Sequence, residues 1–77
     1  MKITFRNGSG NRLNVMFEPA AMEHDIPAGE HIVVDWPAAE DEDLEASVDL
    51  TPAGLVLSPP SYEPLRAWDA AGNELDV

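Results

Sequence analysis

The sequence predicts an all-β domain, a small antiparallel β-sandwich or partly open barrel of about seven short strands. Three observations predict it. Apolar and polar residues alternate with period two along much of the chain. Clusters of Gly, Pro, Asn and Asp interrupt that alternation at short intervals. No segment carries a helical pattern long enough for a βαβ crossover.

The first alternation places Ile3 and Phe5 against Lys2, Thr4 and Arg6. Asn7-Gly8-Ser9-Gly10-Asn11 supplies a turn, since Asn and Gly tolerate positive φ. Leu13, Val15 and Phe17 then alternate with Arg12, Asn14, Met16 and Glu18, and the two runs read together as a β-hairpin. Glu18-Pro19 closes the second run, because proline lacks the ladder donor. Ala20 to His24 reads as a connection. Ile26-Pro27-Ala28-Gly29-Glu30 reads as a turn built on Pro27 and Gly29. Glu30 to Trp36 is the next strand, with Ile32, Val34 and Trp36 on one face and His31, Val33 and Asp35 on the other.

Pro37 to Asp43 is an acidic loop, followed by a strand in which Leu44, Ala46, Val48 and Leu50 alternate with Glu45, Ser47 and Asp49. The Ala- and Glu-rich stretch from Ala38 to Ala46 leaves a short helix as the alternative there. Thr51-Pro52-Ala53-Gly54 turns the chain into a short apolar strand, Leu55-Val56-Leu57. Ser58 to Pro64, with three prolines, is extended or irregular. Leu65 to Asp69 is a strand, Asp69 to Asn73 a hairpin turn, and Glu74 to Val77 a last short strand.

The chain has 77 residues and reads as a single domain, 1–77. With 44% hydrophobic residues it has a core to build, although its net charge is −11. It contains no cysteine, so disulfides cannot staple it. No signal peptide and no apolar run of membrane-spanning length is apparent. The expectation is a cytoplasmic protein, complete from its own start methionine. The acidity argues against nucleic acid and anionic membrane as partners and for a basic protein partner or a second copy. The charge is uneven: Lys2, Arg6 and Arg12 precede every acid, while all 15 acids and Arg66 follow. These early cations are expected to pair with neighbouring carboxylates; a patterned binding surface or head-to-tail self-association is the alternative.

Two stretches resemble a set of small uncharacterised bacterial proteins. One is Phe17-Glu18-Pro19 followed by Ile26-Pro27-Ala28-Gly29-Glu30 and an apolar strand. The other is the strand containing Trp68 followed by Asp69-Ala70-Ala71-Gly72-Asn73-Glu74-Leu75. Those proteins often carry an aromatic residue after the Glu-Pro pair, where this chain has Ala20. The resemblance covers about half the chain and implies a compact β-domain with no known activity.

Candidate sites are few. Glu23, His24, Asp25, His31 and Asp35 are metal-capable types, and His24 and His31 approach one another if Pro27–Gly29 is a hairpin apex. They lack Cys and any His-x-x-x-His spacing, so no metal and no cofactor is expected. Glu40, Asp41, Glu42 and Asp43 lack the ligand alternation and central Gly of a calcium loop; they read as a solvated loop or a patch for a basic partner. Pro59-Pro60-Ser61-Tyr62 matches the Pro-Pro-x-Tyr pattern of WW ligands; the preferred reading stiffens a crossing between sheets and packs Tyr62 on the core. Trp68 shares the parity of Arg66, opposite Leu65 and Ala67, so it is either core under a second cover or an exposed hot-spot pair with Arg66. No Ser or Thr sits in a nucleophile elbow and no Gly-rich loop opens a helix. So small a domain is also expected to lack room for a ligand pocket of about 300 Å³. The expectation is a non-catalytic protein-interaction or structural module with Trp68, Arg66, Tyr62 and residues 40–43 as its contact candidates. An acidic inhibitor, antitoxin-like or mimicking nucleic acid, is the alternative.

Overall fold

The computed structural model describes residues 1–37, 45–60 and 65–77. It is all-β, with eight strands: β1 (Lys2–Arg6), β2 (Leu13–Phe17), β3 (Met22–Ile26), β4 (His31–Asp35), β5 (Ser47–Thr51), β6 (Gly54–Ser58), β7 (Arg66–Asp69) and β8 (Glu74–Leu75). They form two four-stranded sheets. The first has the order β1-β4-β7-β8 and the second β3-β2-β6-β5. Their inner faces enclose one core of Val15, Phe17, Ile26, Ile32, Val34, Leu57, Leu65 and Ala67. The radius of gyration is 12.2 Å, near the roughly 11.5 Å of a compact chain this long.

Period-two burial fixes which way each strand faces. In β4, Ile32 and Val34 are buried, while His31, Val33 and Asp35 turn outward and are half-buried. Across the ladders, Ile3 and Phe5 lie opposite Val34 and Ile32, and Ala67 lies opposite Val34. In the second sheet, Val15 and Phe17 of β2 point inward beside Leu55 and Leu57 of β6.

The runs 2–6 and 12–18 do not form a hairpin. β1 pairs with β4, and β2 pairs with β3 and β6, so the chain crosses from one sheet to the other between them. Asn7, only 2% exposed, explains the crossing. Its Nδ2 donates to the carbonyls of Asn11 (2.7 Å) and Ile26 (2.9 Å), and its Oδ1 accepts from Ser9 N–H (3.1 Å) and Ser9 Oγ (2.7 Å). Its backbone N–H donates to Glu30 C=O (2.9 Å), and its C=O accepts from Gly29 N–H (3.0 Å). One side chain thus ties the arch from β1 to β2 to the arch from β3 to β4, where a hairpin turn over Asn7–Asn11 would have left it exposed. The Pro27–Gly29 turn itself forms, with Gly29 at φ 77° and Glu30 N–H donating to Pro27 C=O, but it joins strands of different sheets.

Three further expectations are corrected. Ala20 to His24 is not simply a connection, because Met22–Ile26 is a strand laid antiparallel on β2. The sandwich is not wholly antiparallel, because β2 and β6 run parallel; the chain visits the other sheet between them, so no crossover helix is needed. The fifth strand begins at Ser47, and its apolar residues are not core: Val48 and Leu50 are 49% and 81% exposed. β5 lies at the end of its sheet, so the face it shares with Leu55 and Leu57 is incompletely covered. The remainder of that predicted run, and the helix alternative over 38–46, fall largely outside the described residues.

Gly54 begins β6 where it passes closest to β2. Its φ is 139°, and a Cβ there would sit 2.0 Å from the backbone oxygen of Asn14. Only glycine lets the parallel pair close at this point.

Candidate functional site

The outer face of the first sheet carries three of the chain's four Lys and Arg residues, two of them against an aromatic ring. Register sets the rows: Thr4, Val33, Trp68 and Glu74 lie side by side across the four strands, and Lys2, Asp35 and Arg66 form the next row. Arg6 lies opposite His31 in a further row. Trp68 is half-buried, not core, because Leu65 and Ala67 take the inward positions of its segment. Lys2 Nζ lies 5.1 Å and the Arg66 guanidinium carbon 5.0 Å from the indole ring centre. Cation–π attraction at such distances is worth about 0.5 to 1 kcal/mol at an exposed site, and it orients the ring.

Two carboxylates temper this face. Arg66 Nε donates to Glu74 Oε1 at 2.8 Å, and the N-terminal ammonium lies 3.5 Å from Asp35 Oδ1. Lys2 and Arg6 have no ion-pair partner among the described residues. The early cations are therefore separated by the fold. Lys2 and Arg6 join Arg66 on the first sheet, while Arg12 goes to the second and pairs with Asp25 at 3.4 Å. In a chain of net charge −11, this face is a local cationic exception.

The outer face of the second sheet has the opposite character. Glu23, Met16, Val56 and Asp49 form one row across all four strands. Asn14 Nδ2 donates to Asp25 Oδ1 at 3.3 Å in the neighbouring row. Met16 and Val56 are half-buried, and the acids are exposed.

A groove of about 450 Å³ opens where the β3–β4 arch meets the β7–β8 turn. The expectation that so small a chain had no such space does not hold. Ile26, Ile32 and Leu75 line its apolar part, with His24, His31 and Asp69 among its polar groups. Those polar groups are largely committed to the fold. His24 Nε2–H donates to Asp76 C=O at 2.6 Å, and the imidazole meets Phe17 edge-on at 5.9 Å. Asp69 accepts from Asn73 N–H (2.8 Å), Ala71 N–H (3.0 Å) and Asn73 Nδ2 (3.2 Å). These bonds, the Asn73 amide foremost, hold the Asp69 carboxyl below the usual carboxylate range. His24 and His31 stand on different sheets, and among the described residues no three His, Asp or Glu side chains converge as metal ligands would.

Of the sequence candidates, Trp68 and Arg66 are brought together on one exposed face. Tyr62 and Glu40, Asp41, Glu42 and Asp43 lie outside the described residues. Lys2 and Val33 were missed as members of the Trp68 face, because they reach it only through the β1-β4-β7 pairing, which no local pattern encodes. Comparisons with family models, with curated proteins and with solved structures find no match.

Proposed function

We propose that the protein is a small non-catalytic interaction module whose docking surface is the outer face of the β1-β4-β7-β8 sheet. The observation that carries this reading is Trp68 held between Lys2 and Arg66 beside Val33. Trp and Arg are the residues most enriched at binding hot spots. Here the ring is oriented in advance, so little side-chain freedom is lost on docking. The surrounding cations favour a partner with acidic groups around an apolar centre. A cysteine-free chain suits a reducing compartment, and we place its action in the cytoplasm.

The acidic-inhibitor reading draws on a different observation, the Glu23–Met16–Val56–Asp49 row. It would engage a basic partner through the opposite face. A photo-crosslinking side chain placed at Thr4, which is exposed and opposite Val33, discriminates the two. In cells, the expected result is a discrete adduct that disappears in Trp68→Ala. A control probe at Ala53, on the β5–β6 turn, should not give that adduct. The same adducts from both positions, or adducts indifferent to Trp68, would refute docking through this face.

A further inference from the structure

The two outer faces are complementary in both charge and apolarity. On the first sheet, Trp68 and Val33 form an apolar centre whose border carries Lys2, Arg6, Arg66 and the N-terminal ammonium against two carboxylates, Asp35 and Glu74. On the second sheet, Met16 and Val56 form an apolar centre bordered by Glu23, Asp49 and Asp25, of which Asp25 is paired with Arg12. Both centres are half-buried, and both borders are mostly exposed. Resting on the docking reading above, we infer that the partner of the Trp68 face is a second copy of this chain, presenting its Met16–Val56 face.

Such a contact is heterologous. Two Trp68 faces brought together about a two-fold axis would oppose two net-cationic surfaces, and two Met16–Val56 faces two net-acidic ones. The head-to-tail arrangement sets the net-cationic face against the net-acidic one, and the pair then retains one open face of each kind, so the association has no closed end point. Each face is four strands wide and about five residues tall. At about 4.8 Å per strand and 3.3 Å per residue, that is roughly 19 by 17 Å. This lies well below the roughly 800 Å² per partner of a stable interface. The stacking is therefore weak and visible only at high concentration.

The whole-molecule charge adds a signature. Copies of net charge −11 repel one another. At about 10 mM salt the screening length is about 30 Å, comparable with the molecule itself, and repulsion dominates. At about 0.1 M it falls to about 10 Å, so distant charges are screened while facing pairs still attract. At about 1 M both are lost. Association passes through a maximum at intermediate salt, whereas a purely apolar contact would strengthen steadily.

The test is sedimentation equilibrium of the full chain up to millimolar concentration across that salt range, with Arg66→Glu and Asp49→Lys. Both side chains are exposed, so the fold should survive, as thermal unfolding checks; Lys2→Glu and Glu23→Lys form a second pair if either variant fails to fold. Wild type should show mass rising with concentration, greatest at intermediate salt. Each variant alone should be monomeric, and their equimolar mixture should regain mass, since one supplies an intact Trp68 face and the other an intact Met16–Val56 face. Monomeric wild type at every salt, self-association by Asp49→Lys equal to wild type, or a mixture that stays monomeric would each overturn the inference. If a Trp68-dependent crosslink at Thr4 to some other protein survives that outcome, the docking face stands and only the identity of its partner falls.

Discussion

At the residue scale, Asn7 is the side chain whose chemistry is hardest to replace. Its partners fix its orientation: the carbonyls of Asn11 and Ile26 can only accept, and Ser9 N–H can only donate. Asn7→Ala removes both donors and strands a buried carbonyl, a cost of about 3 kcal/mol. Asn7→Asp is nearly isosteric but offers only acceptors when ionised. It should cost more than alanine at neutral pH and recover part of the loss in acid, where the protonated carboxyl can donate once. Urea unfolding at pH 7 and pH 4 checks both; an Asp variant as stable as wild type at pH 7 would mean the arches are held by backbone bonds alone. Asp69 shows the reverse dependence. Its folded-state pKa is depressed by the Asn73 and Ala71 amides, so its contribution is fully present above the ordinary carboxylate range and is lost as pH falls through the depressed value. An NMR titration should place its midpoint below that of an unstructured Asp and move the Asn73 amide resonance in step. A carboxyl titrating normally, or an Asn73 amide that does not follow it, would remove this account of the turn.

At the element scale, alternation identified β1, β2 and β4, a short apolar run after a turn identified β6, and turn chemistry identified the β7–β8 hairpin, because all are local properties of the chain. Pairing was not local. The Asn7–Asn11 segment has hairpin composition, yet a buried contact with the β3–β4 arch sends the next strand to the other sheet. β3, Met-Glu-His-Asp-Ile, alternates faithfully but has one β-branched residue, so its propensity is weak and its place beside β2 depends on Phe17, Val15 and Leu13 opposite it. β5 is the converse. Its alternation is strong, but alternation gives a face and not a cover, and Val48 and Leu50 remain exposed at the sheet edge. The Trp68 face was half legible for the same reason: Arg66 is a sequence neighbour, whereas Lys2 is brought by register. The exposure of β5 has a measurable consequence. Leu50→Lys should change stability by less than about 0.5 kcal/mol, while a charged edge should suppress aggregation of the concentrated protein. Thermal unfolding and light scattering read the two effects separately; a large stability loss would show that Leu50 is packed.

At the scale of the whole molecule, charge works against the fold more than for it. The chain carries 15 acids against four Lys and Arg. The ion pairs among the described residues are solvent-exposed, and exposed pairs contribute about 0 to 1 kcal/mol each. They cannot offset the mutual repulsion of a chain whose net charge is −11. Screening should therefore stabilise the folded state, because the compact form holds like charges closer than the unfolded chain does. Raising sodium chloride from about 10 mM to about 300 mM should raise Tm, and each 1 kcal/mol relieved corresponds to about 4 to 8 °C for a domain of this size. Chloride is the salt to use, since sulfate also strengthens apolar burial and would confound the result. Measured in dilute solution, where stacking of copies is absent, the shift belongs to the single molecule. A fall in Tm with salt would mean that the cationic cluster around Trp68 and the pairs Arg66–Glu74 and Arg12–Asp25 outweigh the general repulsion, and that the first sheet's outer face stabilises the fold by its charges as well as presenting them.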